Sequence, residues 1–232
     1  MTHIHIPDGI LPVPLWALGF VLLFIALGLS LFRLRAMDMR KKIPLLGAVS
    51  AVMLVAMSLE ILPIAYHINL SVVAGILLGP ALGFVAAFIA NLVLSLMGHG
   101  GITVIGLNTV LLGSEALLGH TLFYLLRGRM QIFWRAFLVT VVSLFLVTLL
   151  LIGMVAVSDL DPGYFTHEAE QGHAFKGHIS IATFATLALS LGSIGWLIEA
   201  AITGSVLKFI AQVKPELLSH VLHSRNKAGG LS

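Results

Sequence analysis

The chain has 232 residues, of which 59% are hydrophobic and only 10% charged, with a mean hydropathy of +1.06. So few polar residues cannot cover a water-soluble globule, which excludes an ordinary soluble domain and predicts a multispanning membrane protein. The absence of cysteine leaves only nitrogen and oxygen donors for any metal, while the basic residues behind the pI of 9.5 sit in short loops beside apolar runs, a mark of membrane topology rather than of nucleic-acid binding.

The chain opens on Met1-Thr2-His3-Ile4-His5-Ile6-Pro7-Asp8-Gly9. A free amine, consecutive backbone amides and two imidazoles stand close together ahead of a Pro-Asp-Gly turn, so residues 1–10 read as a metal-binding head. A histidine near an amino terminus closes fused chelate rings, and the planar nitrogen set that results suits Ni(II) and Cu(II). His3 would complete such a set with the Met1 amine and two amides. His5 cannot use the amine in the same compact way. Thr2 is small, so loss of Met1 by processing is expected; His3 would then be the second residue, leaving one planar position for a histidine from elsewhere. The alternative, two histidines in a polar tail without a role, stays open at this point. This polar start does not fit a cleavable signal peptide, which would begin basic.

Seven apolar segments follow, predicting an all-α integral membrane protein, a compact helical bundle with its amino terminus outside. The first runs from about Leu15 to Phe32, with Pro12 and Pro14 at its entrance and Trp16 at the interface. Arg33, Arg35, Arg40, Lys41 and Lys42 then form the densest positive cluster, which places that loop in the cytoplasm. The second segment runs from about Pro44 to Ala65. Between His67 and the next basic cluster, Arg127, Arg129 and Arg135, an odd number of crossings is needed, and about sixty mostly apolar residues are too many for one. Three are inferred, broken at Gly79-Pro80 and at Gly98-His99-Gly100-Gly101. They are a short third segment, Asn69 to Leu78, a fourth from Ala81 to Met97 and a fifth from Ile102 to Leu126. A span this short is tolerated only where protein covers its backbone. The sixth runs from Phe137 to Val157 and the seventh from Ser180 to Ile210. In this arrangement twelve of the thirteen Lys and Arg residues fall on the cytoplasmic side.

The same topology puts His3, His5, His67, His99, His167, His173 and His178 outside, with His120, His220 and His223 towards the cytoplasm. The outer loop, residues 158–178, adds Asp159, Asp161, Glu168 and Glu170. This bias suits gathering of a divalent cation, although a solvated His-rich loop with incidental metal affinity is the preferred account of that loop. Three glutamates lie in apolar runs, where an ionised side chain costs about 3 kcal/mol or more unless paired or hydrated. Glu60, about two helical turns before His67, is the candidate to orient it. Glu115 and Glu199 are expected to be protonated or hydrogen-bonded helix contacts.

Three motifs carry a family resemblance: His5-Ile6-Pro7-Asp8-Gly9; His67 followed by Gly75-Ile76-Leu77-Leu78-Gly79-Pro80; and Gly98-His99-Gly100-Gly101-Ile102-Thr103 with Gly106 and Asn108. Over the first half of the chain they resemble the cobalt and nickel substrate-capture membrane components of energy-coupling-factor ABC transporters, the group that includes the cobalamin-biosynthesis cobalt permease. The resemblance implies one substrate-capture domain over residues 1–232. Its metal is bound by the terminal amine (Met1, if retained), a head histidine and a second histidine that falls on His67. Motif alignment makes the head histidine His5; distance from a processed terminus makes it His3. His99 stands where some members have Asp, so it is either an added ligand or a loop residue, and Leu111 stands where a second Asn can follow Asn108. Small residues of the first segment, Gly19, Ala26 and Gly28, would meet a transmembrane coupling subunit.

The implied function is import of Ni(II) or Co(II), bound as transported substrate with no catalytic cofactor, in the plasma membrane of a prokaryote. The chain has no Gly-x-x-x-x-Gly-Lys-Ser/Thr phosphate loop, so ATPase subunits would join the coupling subunit as partners. A small accessory membrane subunit is a further candidate, and no nucleic acid is expected. Two other classes compete. An intramembrane metalloenzyme with His67 and His99 as ligands and Glu60 as base lacks a His-Glu-x-x-His motif; a capture component for a vitamin would not need the head.

Overall fold

The computed structural model describes residues 13–35, 39–40, 42–59, 67–157 and 180–222. The head, Glu60, and the outer loop with its histidines and acids therefore lie outside the described residues. Among those described, seven main helices and no strand are found: α1 (Val13–Leu34), α2 (Lys42–Ser58), α3 (Ser71–Leu78), α4 (Pro80–Leu96), α5 (Ile105–Leu125), α6 (Ile132–Val157) and α7 (Ile181–Val213). A 3-10 turn, Pro215–Leu218, and a one-turn α8, Ser219–Leu222, close the described part. α1, α6 and α7 are long and apolar enough to cross a membrane, and α2 and α4 are shorter apolar helices. The chain is a multi-pass membrane protein.

Four segment limits differ from expectation. α2 ends at Ser58 rather than near Ala65. α5 starts at Ile105, after a turn at residues 102–104. α7 runs on to Val213. α6 starts at Ile132, which takes Arg135 out of the predicted loop and into the helix. Arg135 is 2% exposed, with its guanidinium 3.6 Å from the centroid of the Phe123 ring on α5. A guanidinium stacks on an aromatic face with little loss, because it is weakly hydrated and planar.

One cavity of about 590 Å³ shows how the helices alternate. It is lined by Arg33 at the end of α1, Lys42 at the start of α2, Leu78-Gly79-Pro80 between α3 and α4, His120 near the end of α5, and Glu216 after α7. All these termini share one end of the bundle, and it is the basic end, as the segment order requires.

All eight residues of α3 are buried. The short span is thus an interior helix, wrapped mainly by α4 and α5, with Met53 and Met57 of α2 in the same core. Between helices in a membrane close packing replaces the hydrophobic drive, and small residues make it possible. A side chain on Gly75 would strike the carbonyl oxygen of Ala116 on α5, and one on Gly83 of α4 would lie 2.9 Å from the Gly75 backbone. The three helices therefore cross at backbone contact. Gly79, at φ 83°, makes the break after α3, and Pro80 then starts α4 at a position where its missing N–H costs nothing.

The small residues of α1 divide. Gly19 faces inwards, where an added side chain would strike Leu107 of α5. It belongs to the internal α1–α5 contact and is not available to an outside partner. Gly28 has open space around it. Gly75→Ala should therefore cost about 1–3 kcal/mol through overpacking, against a change near zero for Gly28→Ala. Thermal unfolding of the two variants in the same detergent checks this; equal melting points would contradict the packing described.

Candidate metal-binding site

α3 begins inside the bundle, which creates a chemical demand. The first N–H groups of any helix lack partners within it, and inside a membrane each unsatisfied group costs several kcal/mol. Three side chains meet that demand. The Asn69 side-chain carbonyl accepts from the Ser71 N–H at 2.7 Å. The Asn69 amide in turn donates to Glu115 Oε2 of α5 at 2.6 Å. Glu199 Oε1 of α7 accepts from the Leu70 N–H at 3.2 Å. Asn69 and Glu199 are fully buried, and Glu115 is 1% exposed.

Leu70 is the one non-glycine residue with positive φ among those described, at φ 57° and ψ 19°. A left-handed leucine costs roughly 1–2 kcal/mol. It is held there from both sides, because its N–H bonds to Glu199 and its carbonyl accepts from the Ala74 N–H at 3.0 Å. The result is a sharp, fixed entry into α3.

His67 stands at the start of this entry, half-buried, three residues before Leu70. At the other end of α3, His120 Nδ1 donates to the Gly75 carbonyl at 3.1 Å, an acceptor that also takes the Gly79 N–H at 3.0 Å. Both ends of the short helix are thus tied to neighbouring side chains.

The glycine-rich segment before α5 has a different explanation. His99 is exposed. Its N–H bonds to Leu94 O and that of Gly98 to Ser95 O, both at 3.1 Å, with Gly98 at φ 87°. That pattern is a Schellman cap closing α4, with glycine in the left-handed position. Beneath it, Asn91 of α4 donates to Thr109 Oγ1 at 2.9 Å and to the Ile105 carbonyl at 3.2 Å, pinning α4 to the first turn of α5. Asn108 beside it is fully buried.

Among the described residues, no group of three or more His, Cys, Asp or Glu side chains gathers in one place. His67 and His99 are the described members of the candidate ligand set; Met1, His3 and His5, and the proposed orienting residue Glu60, lie outside the described residues. The structure adds what the sequence did not single out for this place: Asn69, Glu115 and Glu199 meet at the loop that carries His67. The only signal for the glutamates was a carboxyl in an apolar run, and nothing local indicated their partners.

Comparison with known proteins gives one consistent picture. Residues 5–217 match a family model described as the cobalt uptake substrate-specific transmembrane region, the match opening at His5. A putative fused nickel transport protein of Archaeoglobus fulgidus is 28% identical, covering 92% of this chain and 68% of its own length. A putative cobalt transport protein of Methanococcus voltae is 26% identical, covering 97% and 98% respectively. A crystal structure of a transition metal transporter has the same fold, with a TM-score of 0.75, 19% identity and coverage of 93% and 97%.

Replacing Asn91 by leucine should leave the buried Thr109 hydroxyl without this donor and cost about 1–3 kcal/mol. Chemical unfolding against wild type measures it; an unchanged midpoint would show that Asn91 does not hold α4 to α5.

Proposed function

This chain belongs to the family of cobalt uptake substrate-specific transmembrane regions, and from that premise we propose that it is the substrate-binding membrane component of an importer for nickel or cobalt. The observation that carries the reading is His67, half-buried at the entrance of a wholly buried helix. An imidazole so placed suits a late divalent cation. The nickel and cobalt transport named for the two relatives supports the same cargo class.

The other donors in this reading come from the head. With Met1 removed, the Thr2 amine, the His3 amide and the His3 imidazole supply three nitrogens in a plane, and His67 supplies the fourth. With Met1 kept, the amine, two amides and the His3 imidazole fill the plane by themselves. His5 competes with His3 because it opens the His-Ile-Pro-Asp-Gly motif, where the family match begins. His99, exposed and engaged through its backbone in the α4 cap, is assigned a capping role and kept outside the ligand set.

The head thus closes over a bound ion that His67 holds from within the bundle. Import follows when partner subunits rearrange the membrane component and open a route inwards. ATP is the proposed energy source, hydrolysed by separate ATPase subunits that act through a transmembrane coupling subunit.

Calorimetry with Ni(II) and Co(II), on wild type and on His3→Ala, His5→Ala and His67→Ala, tests this directly, with mass spectrometry to define the terminus. A tight one-to-one site that weakens at least about 100-fold with His67→Ala, and equally with only one of the head substitutions, is expected for a lost first-sphere donor, since losing even an outer partner typically costs 10–100-fold. Tight binding unchanged in all three variants would contradict the site. Ligand uptake that survives deletion of residues 1–10 would instead favour a vitamin as cargo.

A further inference from the structure

Two carboxyl groups, brought by different helices, end on consecutive residues of the loop before α3. Glu115 of α5 takes the Asn69 side chain at 2.6 Å, and Glu199 of α7 takes the Leu70 amide at 3.2 Å. These contacts span 46 and 129 residues of sequence, so they join separate parts of the bundle. α5 packs with α1, α3, α4 and α6, whereas α7 packs chiefly along α6 and touches α3 only slightly. The loop that bears His67 is therefore held by two different helices at once.

A neutral acceptor would serve a single amide as well, and a carboxyl inside a membrane is expensive to keep. Glu199 keeps a further cost: its Oε2 is enclosed without a hydrogen-bond partner among the described residues. Buried groups of this kind ask for a function.

We propose that Glu115 and Glu199 are positioning residues of the metal site, a two-point clamp that fixes residues 67–70 while cargo is bound and releases them when α7 shifts against α3. This rests on the assignment of His67 as a ligand. The clamp acts through hydrogen-bond acceptance: Glu115 orients Asn69, Asn69 caps Ser71, and Glu199 holds Leu70 in its left-handed turn. His67, two and three residues away, inherits that geometry. Movement of α7 away from α3 removes the Leu70 contact first, and the loop then loses the conformation that aims His67.

The test uses the full chain in lipid nanodiscs. Glu115→Gln and Glu199→Gln keep an acceptor; Glu115→Leu, Glu199→Leu and Asn69→Leu do not. Each is measured for Ni(II) affinity, for the rate of metal loss to a chelator, for the visible spectrum of the Cu(II)-loaded protein, and for unfolding without metal. The clamp predicts near-wild-type binding for the glutamine variants. The leucine variants should bind about 10–100-fold more weakly, as for loss of a partner that orients a ligand, lose metal faster and show a shifted spectrum. Leucine variants with wild-type affinity and spectrum, in a protein whose binding depends on His67, overturn the clamp alone. Glutamine variants as impaired as the leucine ones also overturn it, because charge rather than acceptance would then matter. A wild type without His67-dependent binding overturns the metal site itself and the clamp with it. Amide exchange on wild type needs no variant: Leu70 should be protected, and more so with metal, while exchange at the unprotected rate overturns the clamp.

Discussion

Inside an apolar bundle a helix cannot leave its first amide protons bare, and α3 begins there. Every residue of that helix is buried, so water cannot supply what its amino end lacks. The chain answers with Asn69 and Glu199 as direct acceptors and with Glu115 as the anchor that holds Asn69 in place. Much else in the structure follows from that one demand. Leucine sits in a left-handed turn, two carboxyls are kept within the bundle, and glycines let α3, α4 and α5 meet at their backbones.

The consequence for the proposed site is rigidity beside its inner donor. A loop histidine would ordinarily sample many orientations, and a cation would have to restrict them at the expense of affinity. His67 instead leads into a segment already ordered by a polar network and by close packing on α5. In the proposed site the head supplies the remaining donors to the ion that this inner residue holds. Such a site suits a component that must hold its cargo and later let it go.

Much of the fold was legible in the sequence because membrane topology leaves a strong record. Apolar runs, the basic clusters around Arg33 and Arg127, and the Gly79-Pro80 break were enough for seven helices and for a short third one. Helix limits were less legible: Arg135 reads as a loop cation by the positive-inside rule, and only its stacking on Phe123 explains how it lies within α6. Gly19 and Gly28 look alike in sequence, yet one packs against α5 and the other faces open space. His67 was singled out in the sequence through the motif that follows it, and it stands at the entry to α3. Glu115 and Glu199 were recognised as costly groups expected to make helix contacts, but the partners that give them meaning lie 46 and 129 residues away. No local pattern encodes such distances.

In the proposed site one metal ion joins the amino-terminal head to His67. Pulsed electron paramagnetic resonance of the Cu(II)-loaded full chain tests it most directly, because the nuclear modulation from coordinated imidazoles can be counted. Signals from two imidazoles are expected in wild type and from one in His67→Ala. A wild-type signal from a single imidazole, unchanged in His67→Ala, would contradict that site and leave the head to bind metal alone.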